Sequence, residues 1–154
     1  MIRLRNAVLA LVLASACVDG PMWYEQATPA SYAAFVDEVQ PVLERHCANP
    51  SCHGLRTRPL EIYAVGQHRL DAEELHLEEP LREEELRLNF WRACGFLFEG
   101  GAPERCTLLS KPLAPRAGGS GHGGGVQFED REEADYQTLL TWVRSTAEDA
   151  GGPP

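Results

Sequence analysis

The sequence predicts a single all-α domain, and two observations carry that prediction. Three stretches place apolar residues at helical spacing, and no segment shows the alternation of apolar and polar residues typical of a half-buried strand. The length of 154 residues allows one small hydrophobic core. We therefore expect helices joined by loops, with no internal repeat and no second domain.

An export signal is predicted at residues 1–16. Arg3 and Arg5 supply positive charge, and residues 7–14 form an apolar run too short to cross a bilayer. Small residues then precede Cys17, as in the lipobox of bacterial lipoproteins. We expect Cys17 to carry lipid on a periplasmic membrane face, with the outer membrane favoured. Plain cleavage after residue 16 is the alternative.

The first helix is predicted from Thr28 and Pro29, which suit an N-cap and the first helical position. Pro41 interrupts the pattern, so we expect a kink or a restart there. The domain spans residues 28–149, between a tether at 17–27 and a disordered tail at 150–154. The apolar stripe of this helix is Phe35, Val39, Val42, Leu43 and His46.

A second helix is predicted over residues 80–97 and a third over residues 130–148. The third begins with Asp130 and Glu133 at capping-box spacing. A short helical turn is expected between Cys106 and Leu113. The stripe of the second helix is Leu86, Phe90, Ala93 and Leu97, and that of the third is Tyr136, Leu139, Leu140 and Val143.

The most specific motif is Cys47-Ala-Asn-Pro-Ser-Cys52-His53. Two cysteines followed at once by a histidine are typical of c-type haem attachment, although four residues separate these cysteines where the familiar form has two. The two thiols would add across the haem vinyl groups, and His53 would be the proximal iron ligand. A structural Cys47–Cys52 disulfide loop and half of a zinc site are the alternatives. Zinc would need a closed set of four ligands, and no second Cys/His pair follows at matching spacing.

Three segments together resemble a small single-haem cytochrome c domain of the bacterial lipoprotein type. They are residues 35–54, which include the motif, residues 110–125, which are rich in glycine, and residues 135–143, which belong to the last helix. The resemblance covers about Ser31 to Ser145. It implies a cytochrome c-like helical fold packed around one covalently bound haem c, with the opening and closing helices crossing beside it. It also implies electron transfer and not an enzyme reaction on a substrate.

The second axial ligand of many cytochromes c is a methionine, but this chain has only Met1 and Met22. Met1 leaves with the signal, and Met22 precedes the first helix, so a histidine is the next candidate. We favour His122 as the distal ligand, because the glycines of residues 118–125 permit close backbone approach to a flat cofactor. The alternatives are an open or water-bound site, another histidine, and a flexible linker in which His122 is incidental.

Two further cysteines, Cys94 and Cys106, are expected to pair because exported proteins can form disulfides. Two buried thiols are the alternative. The net charge of −9 argues against binding to nucleic acid. The acidic run at residues 71–85 is expected to be a solvated helix face, and the alternative is a docking surface for a basic redox partner protein.

Two classes of function follow from these patterns. The first is an electron-transfer cytochrome tethered to a periplasmic membrane face by its N-terminal lipid. The second is a non-redox lipoprotein that acts as an interaction module, with a purely structural Cys47–Cys52 loop. A narrower alternative is a haem-based gas sensor with an open sixth coordination site.

Overall fold

A computed structural model of the protein describes residues 29–97 and 102–149. In this part of the chain the regular structure is helical, and backbone pairing outside helices is limited to two isolated bridges, Ala64 with His68 and Leu113 with Phe128. The all-α prediction is therefore confirmed. Cys17, the N-cap Thr28 and the tail at 150–154 lie outside the described residues. Among the described helices, none is long and apolar enough to cross a membrane.

Five α-helices occur in the described residues. They are α1 (Pro29–Ala34), α2 (Gln40–His46), α3 (Glu83–Cys94), α4 (Thr107–Ser110) and α5 (Ala134–Asp149). Short 3₁₀ turns lie at Ala72–Glu74, Pro103–Arg105 and Pro115–Ala117. Helix α4 is the short turn that the sequence predicts between Cys106 and Leu113.

A π-helical turn at Phe35–Val39 joins α1 to α2 without a break. Its backbone bond runs from the Gln40 N–H to the Phe35 carbonyl, which is the i→i+5 pattern of a π-helix. Pro41 has no N–H to give and its ring crowds the preceding turn, so an ordinary α-helical turn is disfavoured here. The interruption that the sequence predicts is therefore a local widening of one helical segment, with Pro41 in the first turn of α2.

Helix α3 is shorter than the predicted span of 80–97. Arg82 has extended backbone dihedrals and its N–H donates to Glu85 Oε2 at 2.9 Å, so the helix begins only at Glu83. Phe90, Ala93 and Leu97 are buried as predicted, whereas Leu86 is half-buried. Helix α3 instead buries two polar side chains, Glu85 and Asn89, which an apolar stripe cannot reveal.

Helix α5 begins at Ala134 and not at Asp130. Glu133 is the reason: its carboxylate accepts the N–H groups of Glu129 and Asp130, so it closes a turn ahead of the helix. The Glu133 carbonyl then accepts the Gln137 N–H at 2.9 Å, the first bond of the helix. The predicted buried face is confirmed, since Tyr136, Leu139, Leu140 and Val143 are all buried.

The opening, middle and closing helical segments meet at a cluster of aromatic rings. Phe35 contacts Phe90 with ring centroids 5.4 Å apart and Trp142 with centroids 5.3 Å apart. The Trp142 indole N–H donates to the Ser31 carbonyl at 2.9 Å, which satisfies its only polar group inside the core. This cluster packs the first helical segment against α3 and α5, and so sets the relative positions of the elements that surround the site.

A buried ion pair ties the acidic run to the loop before it. Glu85 is fully buried and accepts two hydrogen bonds from the guanidinium of Arg69, at 3.0 and 2.9 Å. The backbone N–H groups of Leu70 and Arg82 also donate to this carboxylate, which satisfies both of its oxygens. Glu85 thus departs from the solvated helix face that the sequence predicts for residues 71–85.

Candidate functional site

A cavity of about 480 Å³ opens between the helices and the loops that connect them. Its volume lies within the range of about 300–1,000 Å³ that is typical of small-molecule and cofactor sites. Each major part of the fold contributes an apolar wall. These side chains are Leu43, Leu60, Phe96, Leu108 and Leu139.

The four residues that the sequence selects for this site all line the same cavity. Cys47, Cys52 and His53 come from the turn after α2, and His122 comes from the glycine-rich loop between α4 and α5. These two segments are far apart in the chain, and only the fold brings them together. Their convergence was not a consequence of the motif spacing.

The turn that carries the cysteine motif is compact despite its four-residue gap. The His53 N–H donates to the Cys47 carbonyl at 3.1 Å, and the Cys52 N–H donates to the Asn49 carbonyl at 2.7 Å. The Asn49 side chain accepts from both the backbone N–H and the hydroxyl of Ser51. The extra residues are therefore absorbed within an Asx turn, and both thiols still reach the cavity.

Gly54, the residue after His53, can only be a glycine in this structure. A Cβ atom at this position would lie 2.2 Å from the Ala48 carbonyl oxygen. The close approach lets the Gly54 N–H donate to the Asn49 carbonyl at 3.0 Å, so that the turn folds back on itself immediately behind His53.

His53 is held in one tautomer by the loop that follows it. Its Nδ1 lies 2.7 Å from the Leu60 carbonyl oxygen, and because a carbonyl can only accept, Nδ1 carries the proton. Nε2 is then the nitrogen with a free lone pair. Burial lowers the pKa of His53 below its ordinary 6.5. The hydrogen bond to the Leu60 carbonyl raises this pKa, and the nearby His122 and Arg58 lower it further. The neutral, ligating form is thus favoured near neutral pH.

The loop around Leu60 is itself fixed by polar contacts with α3. The Ile62 N–H donates to the His53 carbonyl at 2.8 Å. The side chain of Asn89 then pairs with the backbone of Tyr63 in both directions, each bond being 2.8 Å long. The buried amide of Asn89 therefore anchors the segment whose carbonyl orients His53, as an outer-shell partner does for a metal-binding histidine.

His122 is held in the same tautomer by its own loop. Its Nδ1 lies 2.9 Å from the Gly125 carbonyl oxygen, so Nε2 is again the free nitrogen. A Cβ atom at Gly124 would lie 3.0 Å from Cε1 of His122, so the ring occupies space that a side chain there would take. Gly118, Gly121 and Gly125 have positive φ angles, which glycine adopts without steric cost.

Backbone hydrogen bonds tie the glycine-rich loop to the rest of the domain. The Ser120 N–H donates to the Ser110 carbonyl at 2.8 Å, and the Ala114 N–H donates to the Phe128 carbonyl at 2.9 Å. The second bond belongs to the bridge that joins the two ends of the loop. These contacts hold the ends of the loop that carries His122 against the rest of the domain.

The two imidazole rings lie beside one another at the cavity. Their centroids are 6.2 Å apart and their planes differ by 12°. An imidazole nitrogen lies about 1 Å from its ring centroid and a metal–nitrogen bond is about 2 Å long, so rings on opposite sides of one metal ion would have centroids about 6 Å apart. The observed separation is compatible with two ligands of one metal ion, and because the lone pair of an imidazole nitrogen lies in the ring plane, the stacked rings would have to turn to direct both Nε2 atoms at that ion.

The remaining histidines have other surroundings. His46 also lines the cavity, but its Nε2 lies 2.8 Å from the carboxylate of Asp135 on α5. His68 contacts Glu61 at 2.7 Å and stacks on Tyr63, away from the cavity lining. His76 is exposed. Of the histidines, His122 is thus the one whose ring lies beside that of His53, with its Nδ1 and not its Nε2 bonded to its own loop.

The two motif cysteines differ in their surroundings from the second pair. Burial raises the pKa of Cys47 to about 12, and the neighbouring Cys52 adds to the rise, so Cys47 is a protonated thiol at neutral pH. Cys94 and Cys106 are buried in the hydrophobic core and do not line the cavity. Cys94 is a thiol in this structure, and burial raises its pKa to about 12. The Cys94–Cys106 disulfide stays a prediction for the oxidised protein.

Two charged residues at the cavity were missed by the sequence analysis. Arg58 follows the cysteine motif and Lys111 ends α4, and both side chains line the cavity while remaining exposed. Isolated basic residues beside a ligand motif, in a chain of net charge −9, were a signal that could have been noticed. The Leu60 and Gly125 carbonyls leave no such signal, because a backbone acceptor has no side-chain signature.

No protein-family model, curated protein or solved structure matches the chain. Within residues 29–97 and 102–149, no cluster of three or more His, Cys, Asp or Glu side chains is arranged to hold a metal ion. The case for a function therefore depends on the cavity and on the four residues that converge on it.

Proposed function

We propose that the chain is an electron-transfer c-type cytochrome tethered to a periplasmic membrane face. The observation that carries the proposal is the convergence of two thiols and two neighbouring imidazoles on one apolar cavity, from Cys47, Cys52, His53 and His122. The all-α class of the domain is compatible with a cytochrome c-like fold, which remains part of the proposal.

The residues present fit a haem. A covalent haem c requires two thiols beside a histidine, and Cys47, Cys52 and His53 provide them in one turn. A six-coordinate iron would take one nitrogen from each histidine, and the 6.2 Å separation of the His53 and His122 ring centroids is compatible with that once the stacked rings turn their Nε2 atoms toward the iron. Both rings donate their Nδ1–H to a backbone carbonyl, which is the common outer-shell arrangement of metal-binding histidines.

Each residue would have a separate role. Cys47 and Cys52 would hold the cofactor through thioethers, and His53 and His122 would be the axial ligands. When bound, the haem supplies an iron centre that takes up and releases one electron. The carbonyls of Leu60 and Gly125 keep both ligands in the required tautomer, and the buried leucines of the cavity exclude water. Axial ligands set haem reduction potentials over a range of roughly 0.8 V, and two histidine ligands would place this potential toward the low end of that range.

The first experiment tests covalent attachment. The full chain is expressed with a cytochrome c maturation system, and the product is examined by intact mass and by its pyridine haemochrome spectrum. We expect one added haem in the wild type and reduced retention in Cys47→Ala and Cys52→Ala. Thr57→Ala, at an exposed threonine that follows the turn and does not line the cavity, is the matched control and should keep its haem. An exported but colourless wild type would instead favour the non-redox lipoprotein with a structural Cys47–Cys52 loop.

The second experiment separates an electron carrier from a gas sensor. With two histidine ligands, the ferric protein should be low-spin, and the reduced, ferrous protein should bind carbon monoxide slowly. His122→Ala should become high-spin and bind carbon monoxide readily, whereas His76→Ala, at an exposed histidine, should not. A wild type that is already high-spin would favour the sensor with an open sixth site.

The membrane anchor is tested separately from the haem. Radiolabelled palmitate should enter the wild type and not Cys17→Ala, and the labelled protein should fractionate with the outer membrane. Several acyl chains hold a protein firmly, whereas one binds only marginally. Wild-type protein in the soluble periplasmic fraction would overturn the anchor and leave the cytochrome proposal intact.

A further inference from the structure

The charged groups at the cavity are unusual for so acidic a chain. The net charge is −9, yet none of the described residues that line the cavity is an Asp or a Glu. The charged side chains there are the two cations Arg58 and Lys111, apart from the histidines. The acidic run at residues 71–85 contributes nothing to this lining, so the cavity is a local region of positive charge.

Both cations lie where the cavity meets solvent. Arg58 and Lys111 are exposed at their side chains while they line the cavity, which puts them at its mouth and not at its floor. Their backbones are held in place: the Arg58 N–H donates to the Leu55 carbonyl at 3.0 Å, and the Lys111 N–H donates to the Thr107 carbonyl at 3.2 Å. Arg58 is also close enough to His53 to lower the pKa of that histidine.

These two cations differ from most of the basic residues in their pairing. Arg45, Arg69, Arg82, Arg87, Arg92, Arg116 and Arg144 each form a salt bridge with a carboxylate of the chain. Within residues 29–97 and 102–149, neither Arg58 nor Lys111 forms one. An acidic protein that leaves two cations uncompensated at one cavity mouth has a site suited to an anionic group.

We propose that Arg58 and Lys111 receive the two carboxylate groups of the tetrapyrrole, an inference that rests on the proposed function. Haem carries two propionates, which are anionic at neutral pH and which the net charge of the chain would otherwise repel. A guanidinium can bind a carboxylate through two parallel N–H groups, and an ammonium acts as a point charge. The apolar part of the ring would then lie against the leucine walls, with its charged edge toward the mouth.

The affinity test compares haemin with haemin dimethyl ester, in which both carboxylates are blocked. The full chain is produced without maturation machinery and titrated with each compound. Arg58→Gln and Lys111→Gln should each weaken haemin binding about tenfold, which is the effect of losing one charge-assisted hydrogen bond. The affinity for the ester should stay within about twofold of the wild type. Arg58→Lys and Lys111→Arg, which keep the charge, should restore most of the affinity for haemin.

The matured protein gives an independent measurement. Loss of a cation beside a propionate should lower the reduction potential. It should also raise the pH at which the potential begins to change, because the propionate would then protonate at higher pH. Arg56→Gln is the matched control, since the Arg56 guanidinium donates to the Leu70 carbonyl and does not line the cavity. Its potential and its pH profile should match those of the wild type.

The outcomes separate this inference from the proposed function. In one outcome the matured wild type carries haem, but neutralising either cation changes the affinity for haemin and the affinity for its ester equally, or changes neither. The carboxylate assignment is then wrong and the cytochrome proposal stands. If the wild type binds neither compound and matures without colour, both proposals are overturned.

Discussion

His53 and His122 present nearly parallel imidazole rings whose centroids are 6.2 Å apart, and each ring donates its Nδ1–H to a backbone carbonyl. The two carbonyls belong to Leu60 and Gly125, one in each of the loops that close the cavity. In both histidines, Nε2 is therefore the nitrogen that remains available to a ligand. This shared arrangement is what links the cysteine motif to the glycine-rich loop in one candidate site.

The position of the His122 ring depends on the absence of a side chain at Gly124. In Gly124→Ala the new Cβ would lie 3.0 Å from Cε1 and 3.1 Å from Nε2 of His122, so the ring must shift. We expect the matured protein to gain a high-spin fraction in its ferric form and to bind carbon monoxide faster in its ferrous form. Gly123→Ala is the control, because a Cβ there meets no atom within 4 Å. Equal spectra for the two variants would argue against His122 as the ligand.

The buried pair of Arg69 and Glu85 should contribute strongly to stability. Glu85→Ala removes a fully buried carboxylate and leaves the Arg69 guanidinium buried without it. The expected loss of unfolding free energy is about 3–5 kcal/mol, measured by urea denaturation. Glu84→Ala, an exposed neighbour on the same helix, should change stability by less than about 0.5 kcal/mol. Similar losses in both variants would show that the pair contributes little.

The contact between α2 and α5 should depend on pH through Asp135. Hydrogen bonds from Arg45, and then from His46, lower the pKa of Asp135 below its ordinary 3.8. A carboxylate with a lowered pKa stabilises the fold fully above 3.8 and loses that contribution as the pH falls through the folded-state value. Asp135→Asn should therefore cost about 0.5–1 kcal/mol at pH 6, because the pair is largely solvated. The difference from the wild type should shrink as the pH is lowered below 3.8.

Urea unfolding of wild type and Asp135→Asn across this pH range is the measurement. Asp37→Asn, at an exposed aspartate on the π-helical turn, is the control and should follow the wild type throughout. A stability difference between wild type and Asp135→Asn that stays constant with pH would mean that the charge of Asp135 is not what stabilises the contact.

Cys94 and Cys106 should form a disulfide in protein taken from the periplasm. The bridge would close a loop of about a dozen residues, which corresponds to about 3 kcal/mol in the chain-entropy estimate. Non-reducing peptide mapping should recover the linked pair, and reductant should lower the stability of the wild type but not of Cys94→Ala. Alkylation of both thiols without reductant would rule the bridge out.

The sequence by itself determined the features that depend on neighbouring residues. Helical periodicity predicted the buried residues of the π-turn, Phe35 and Val39, and the buried faces of α2 and α5, and Pro41 marked the place where the first segment widens into that turn. The cysteine motif and the glycines around His122 selected the candidate site residues. These signals are local, since spacing along a helix, the missing N–H of proline and the freedom of glycine act within a few residues.

Only the tertiary structure decided how these parts are combined. The close approach of His53 and His122 depends on the packing of several segments, as does the position of the cations Arg58 and Lys111 at one cavity mouth. The burial of Glu85 was predicted wrongly, because its partner Arg69 comes from a separate loop and long-range pairing has no periodicity. Contacts between residues distant in the chain form only when the core assembles, so the shape and charge of the cavity follow from the fold and not from any one motif.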